Sequence, residues 1–249
     1  MATEAAALQS HEPTYPRAGR RTFFLFTHAL LLMLVLVGFG RTFYLRAFFD
    51  LPPMPASLHV HGALLTTWFV LAFAQTALIR SGQAGLHRRL GIFGAIFAAL
   101  VVLSGLVANH RMASSILSME DPRNVIVWGN YFTLIVFAGL VTAAILLRRS
   151  RDAHPRLMLL ASMAIVGPAL GRLPLLPIFP AGLDAARNFA IGGLLLLLAM
   201  LCAHDFVSRR KLHPATGSGA FAIFASLAGA VALGLSPAGF NILRALVFG

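Results

Sequence analysis

Hydrophobic positions along this chain are not scattered. They gather into seven long runs, at residues 22–41, 57–79, 88–108, 124–147, 156–176, 185–204 and 217–236, with short polar and mostly basic stretches between them. The first, from Thr22 to Gly40, holds no acid, no base and a single histidine. About 20 apolar residues, rising about 1.5 Å each as a helix, cross the hydrocarbon core of a bilayer. Helix is the required form, because backbone amides in lipid must be satisfied inside the segment. None of the runs alternates apolar and polar residues as a membrane barrel strand does. The pattern therefore predicts an all-α fold: a polytopic membrane helix bundle of seven transmembrane helices in one domain, residues 22–249. Residues 1–21 are polar and mixed, with Pro13 and Pro16, and are expected to be disordered or to lie at the surface. The first run is longer than a signal-peptide core and leads into Arg41-Thr42-Phe43-Tyr44, so it is expected to be retained.

Composition sharpens this picture. Hydrophobic residues make up 58% of the chain and charged ones 11%, with a formal net charge of +12. That charge is no nucleic-acid footprint, because its Lys and Arg residues sit between the runs and alternate in density. Thirteen of the 20 flank one side: Arg17, Arg20 and Arg21, then Arg80, Arg88 and Arg89, then Arg148 to Arg156, then Arg209 to Lys211. The other side receives the remaining 7. The positive-inside rule puts the richer side, and with it the N-terminus, in the cytoplasm; an odd number of helices then carries the C-terminus across. Anionic lipid headgroups are the expected partners of the basic loops. The single cysteine, Cys202, allows no disulfide within the chain and no cysteine-based metal motif.

Three helices on the basic side open alike: Leu86-His87-Arg88-Arg89, Ala153-His154-Pro155-Arg156 and Leu212-His213-Pro214-Ala215. Each His stands where a helix cap is expected. The simplest arrangement is one leading helix followed by three helical hairpins. A small-residue stripe in the third run, Gly91, Ala95, Ala98 and Gly105, points to close packing and a central place for that helix. Pro168 is expected to kink the fifth run.

Nine histidines against eight acids is the chemical anomaly of this chain. Imidazole binds haem iron, copper and zinc. The topology sorts the histidines into two layers, His28, His87, His154, His204 and His213 toward the inner face and His59, His61 and His110 toward the outer. His61, Trp68 and Gln75 recur every seven residues, a polar stripe that should face protein or a cavity. His154 and Arg172 are 18 residues apart, five turns of one uninterrupted helix. The outer half also collects Arg41, Tyr44, Asn109, Asn130, Tyr131 and Arg187, donors suited to an anionic or carbonyl-bearing ligand. Phosphate-binding loops, a nucleophile elbow, a His-Glu-x-x-His motif and deep carboxylates are all missing from the sequence, and the seventh run has no Lys for a retinal Schiff base.

Four stretches carry a resemblance: Gly38-Phe39-Gly40-Arg41-Thr42-Phe43-Tyr44, His59-Val60-His61-Gly62, Leu86-His87-Arg88-Arg89-Leu90-Gly91 and His154-Pro155-Arg156-Leu157-Met158. They resemble a family of uncharacterised bacterial, mostly proteobacterial, integral membrane proteins of about this length. The resemblance implies a multi-pass protein of the bacterial inner membrane, in which the basic asymmetry and the odd helix count put the N-terminus in the cytoplasm and the C-terminus in the periplasm. A looser similarity is to b-type dihaem transmembrane cytochromes, which clamp haems between helices near each membrane face. Two functional readings stay open at this point. One is a carrier, sensor or assembly helper that binds a small molecule in the outer half. The other is a redox protein holding haem b or a transition metal on histidines. The candidate site residues are His28, His59, His61, His87, His110, His154 and Arg172.

Overall fold

The computed structural model describes residues 17–179 and 182–249. Each of the seven hydrophobic runs is a helix or a bent pair of helices. Six are single helices long and apolar enough to cross a membrane: α1 (Arg17–Gly38), α2 (Ala56–Arg80), α3 (Ala84–Ser114), α4 (Arg123–Leu146), α7 (Leu183–Arg209) and α8 (Pro214–Gly234). The fifth run is broken. Its halves are α5 (Ala153–Ala164) and α6 (Gly167–Leu170), the second continued by a 3₁₀ turn (Leu173–Leu175), and they meet at 46°. Pro168 accounts for the break. It has no N–H to give to the Ala164 carbonyl and its ring would crowd that oxygen, so the helix stops and restarts with Pro168 in the new first turn. Counted as one crossing, the bent pair brings the total to seven.

Two boundaries differ from the sequence reading. Helix α1 already includes residues 17–21, and the expectation of disorder for 1–21 otherwise falls on residues 1–16, outside the described residues. Beyond α8 the chain forms a further helix, α9 (Pro237–Phe248), too short to cross. Ser236 caps it, accepting the Gly239 N–H at 3.0 Å, with Pro237 in the first turn. Its Leu243 closes a small second core with Ala113 at the end of α3, Ile116 just beyond it, Val127 and Trp128 of α4, and Ala230 of α8.

The main core is built around α5. Leu157, Leu159, Leu160, Ala161, Met163 and Ala164 are all buried, because α1, α2, α4, α7 and α8 all pack against this helix. Helix α3, expected to be central from its small-residue stripe, is peripheral. Val101 and Gly105 do face the bundle, but Ile92, Phe93, Ile96 and Leu103 are exposed. A small-residue stripe specifies one close seam, here against α2 and α4, and leaves the rest of the helix surface free to meet lipid.

Two of the three expected hairpins form, α2 with α3 and α4 with α5, while α7 and α8 diverge. Helix α7 packs on α6, whereas α8 lies along α4 and α5. Small residues on α8 decide this. A Cβ at Gly219 would press on Leu160 and Leu140, at Gly229 on Phe132, and at Gly234 on the backbone of Val125. Large apolar side chains such as Phe26, Ile96, Ile135, Leu196 and Phe221 point outward from every face. In water that surface would drive aggregation; in lipid it is the solvated surface. The chain is an all-α, multi-pass membrane protein.

Where α1 ends, Gly38 lies on α6 so closely that an added Cβ would meet the Ala169 carbonyl oxygen. Gly38→Ala should therefore cost about 1–3 kcal/mol by overpacking, read as a lowered melting temperature in detergent. Gly139→Ala, on α4 with nothing near its Cβ position, should cost none.

Candidate functional site

Among the described residues, the ion pair with both side chains fully buried is one the sequence reading passed over. Arg156 of α5 and Asp205 of α7 form an ion pair with both side chains fully buried. Arg156 Nε and Nη2 donate to Asp205 Oδ1 at 2.8 and 2.5 Å, and Nη1 donates to the Asp152 carbonyl at 2.8 Å. The other carboxylate oxygen accepts from Thr216 Oγ1 (2.6 Å) and from the His213 N–H (3.1 Å), both at the start of α8. A second pair, Arg209 with Asp152 at 3.0 Å, lies beside it, less buried. The network is saturated, and its partners lie on α5, α7 and α8. It is a clamp across the basic end of the bundle, with every nitrogen of the Arg156 guanidinium and both oxygens of Asp205 engaged.

His213 supports the clamp. It caps α8 by accepting the Ala215 N–H on Nδ1 at 3.0 Å, which requires an unprotonated nitrogen there. Burial, then Arg156 and Arg209 nearby, push its pKa below the ordinary histidine value, in keeping with that role. The other two histidines of the recurring opening do not cap: His87 and His154 lie inside the first turns of α3 and α5. His204 is buried, with its ring stacked 3.9 Å from that of Phe23 of α1.

The predicted site residues separate into distinct surroundings. His28 is buried on α1, its Nδ1–H donating to the Phe24 carbonyl at 2.8 Å. His59 is exposed, its ring centroid 6.0 Å from that of Phe43. His61, half-buried, hydrogen-bonds Ser104 of α3 at 3.0 Å. His110 is exposed. His87 and His154 alone come together, edge to face, with ring centroids 6.3 Å apart. The seven-residue stripe on α2 faces protein as expected: His61 and Gln75 lie against α3, and Trp68 Nε1–H donates to Ser162 of α5 at 3.2 Å. Among the described residues no three His, Cys, Asp or Glu side chains gather in a way that could hold a metal ion.

Arg172 does not share one helix stripe with His154, because the break between α5 and α6 intervenes. Its guanidinium lies 4.6 Å from the Phe39 ring centroid, and Nη1 donates to the Pro168 carbonyl at 2.8 Å. Arg41 lies over Phe49 and reaches the Leu175 carbonyl at 3.5 Å. These two arginines thus bracket the turn after α6. The rest of the outer polar set disperses. Tyr44 bonds Thr66 (2.6 Å), Asn130 donates to Asn109 (2.9 Å), and Arg187 pairs with Asp184 at the surface (2.9 Å).

Beside that turn lies an apolar groove of about 440 Å³ between α1, α6 and α7. Leu30 and Leu34 form one wall, Leu170 and Leu173 the end, and Phe189 with Gly192 and Gly193 the other wall. Two local features make it. The bend at Pro168 tilts α6 off the α5 axis, and the glycine pair removes side chains from α7 where one would fill the space.

No family model, curated protein or solved structure matches this chain. Fold and site together define a class, the multi-pass α-helical membrane proteins, with one buried ionic clamp and one lipid-side groove.

The clamp makes a sharp prediction. Asp205→Ala leaves Arg156 charged, buried and unpaired, and should cost about 3–5 kcal/mol, read as a large drop in melting temperature or loss of folded protein. Asp184→Ala, which removes the exposed partner of Arg187, should leave the melting temperature almost unchanged.

Proposed function

We propose that this protein is a carrier or sensor that binds a lipophilic small molecule in the groove between α1, α6 and α7. The observation that carries the reading is the groove itself. Its volume falls in the range of ligand pockets, and its lining is almost wholly apolar. Its ligand would arrive sideways from the bilayer. Arg41 and Arg172 at the neighbouring turn suit a head bearing a carbonyl, carboxylate or phosphate oxygen. The protein would sit in the bacterial inner membrane with its N-terminus in the cytoplasm and its C-terminus in the periplasm. The basic loops would then face anionic headgroups, and the groove would open in the outer half.

Three probes with different heads and long tails test the groove: decylubiquinone, oleate and dodecyl phosphate, added to purified protein in detergent. At least one should raise the melting temperature by several degrees. At Gly192 nothing lies within 4 Å of an added Cβ, so Gly192→Leu starts its side chain in open space at the groove wall. That variant should fold normally and lose the response, and Arg172→Ala should lose it for the acidic probes first. An equal response from wild type and Gly192→Leu refutes the groove.

Reporter fusions test the orientation. A fusion after Arg151 should give a cytoplasmic signal and one after Gly249 a periplasmic signal. A cytoplasmic signal at Gly249 overturns the seven-crossing arrangement.

A further inference from the structure

We infer that Gln75, His87 and His154 form a binding site for one low-charge transition-metal ion, copper(I) before zinc(II), at the basic end of the bundle. Three helices bring these side chains together: the last turns of α2, the first turn of α3 and the first turn of α5. The two rings stand 6.3 Å apart between centroids. The Gln75 amide nitrogen lies 3.6 Å from where a Cβ on Gly91 would be, and Gly91 is one turn after His87 on the same face of α3. His87 also lies against the Gln75 backbone. Gly91 thus leaves room for the amide beside the imidazole.

The hydrogen bonding around the three groups is unbalanced in one direction. His154 Nδ1 lies 2.9 Å from the Ala144 carbonyl. A carbonyl only accepts, so this nitrogen holds the proton and Nε2 is left with a bare lone pair. A ligating histidine is characteristically oriented in this way by its other nitrogen. His87 Nδ1 and Gln75 Oε1 are both buried and both lack a hydrogen-bond partner. An unsatisfied buried polar atom costs about 1–3 kcal/mol, which a cation shared among the three would recover. Metal–imidazole bonds of about 2.0–2.1 Å put two rings on one ion at a centroid separation of roughly 5–6 Å, and the observed 6.3 Å is close to that span.

The donor set selects the ion. It contains two imidazoles and an amide oxygen with no carboxylate, and Arg88 and Arg89 follow His87 directly. Imidazole suits copper and zinc. A neutral site flanked by arginines stabilises a single positive charge better than a double one. The set contains only two residues of the types that usually make a metal cluster, which is why the third donor, an amide, was easy to miss.

Metal-free protein in detergent is titrated with copper(I) against a competing chelator, and separately with zinc(II), with stoichiometry read by elemental analysis. One copper(I) per chain is expected, bound more tightly than zinc. His154→Ala, His87→Asn and Gln75→Leu should each weaken it by tenfold or more, with metal-free melting temperatures no lower than wild type for at least one of the three. His59→Ala and His110→Ala, at exposed histidines, should bind as wild type. X-ray absorption should show two imidazole nitrogens on the metal. Absence of stoichiometric metal, or equal losses in His110→Ala, overturns the site and leaves an ordered water as the bridge. A Soret band in protein from haem-replete cells that vanishes in His87→Asn also overturns it, in favour of haem.

Discussion

Everything at the basic end of this bundle depends on the Arg156–Asp205 ion pair. Removing either charge from water is costly, and only near-complete hydrogen bonding of both groups makes it tolerable. The protein provides that with donors and acceptors from three places in the chain: the Asp152 carbonyl, Thr216 and the His213 backbone. Because each partner sits on a different element, the pair fixes where α5, α7 and α8 stand relative to one another. This matters most for α7 and α8, which hardly touch along their lengths. Lipid supplies no hydrophobic drive to bring such helices together, so a saturated polar contact at their connection does it instead.

The opposite half is held differently. There the break at Pro168 lets α6 turn onto α1 and α7, and glycines absorb the close approaches: Gly38 of α1 under Ala169, Gly193 of α7 under Leu170. The same glycines that allow contact at one height leave the groove at another, where Gly192 meets nothing. One end of the molecule is thus rigidly tied and polar. The other is less completely filled and carries the apolar groove.

The histidines serve several purposes. His213 caps a helix, His204 packs on an aromatic ring, His28 bonds its own helix, and His61 bonds a neighbour. Among the described histidines only His87 and His154 meet, and beside them His87 Nδ1 and Gln75 Oε1 are buried without a hydrogen-bond partner. Abundance of a residue type was therefore a poor guide to chemistry, and convergence a better one.

The sequence alone determined the membrane location, the helical class and the run positions, because hydrophobicity over about 20 residues is a local property that any membrane fold must satisfy. It also located the Pro168 break and the protein-facing stripe of His61, Trp68 and Gln75, since proline geometry and helical periodicity are local as well. What it could not determine was partnership. Arg156 reads as one more loop arginine until Asp205, 49 residues later, is seen beside it; the visible clue was a lone acid in the last turns of α7, between His204 and Phe206. Likewise the stripe of α3 announced close packing without saying on how many sides, and the third hairpin failed because the small residues of α8 match α4 rather than α7. Which helix meets which depends on complementary surfaces far apart in the chain, and that is a property of the tertiary structure alone.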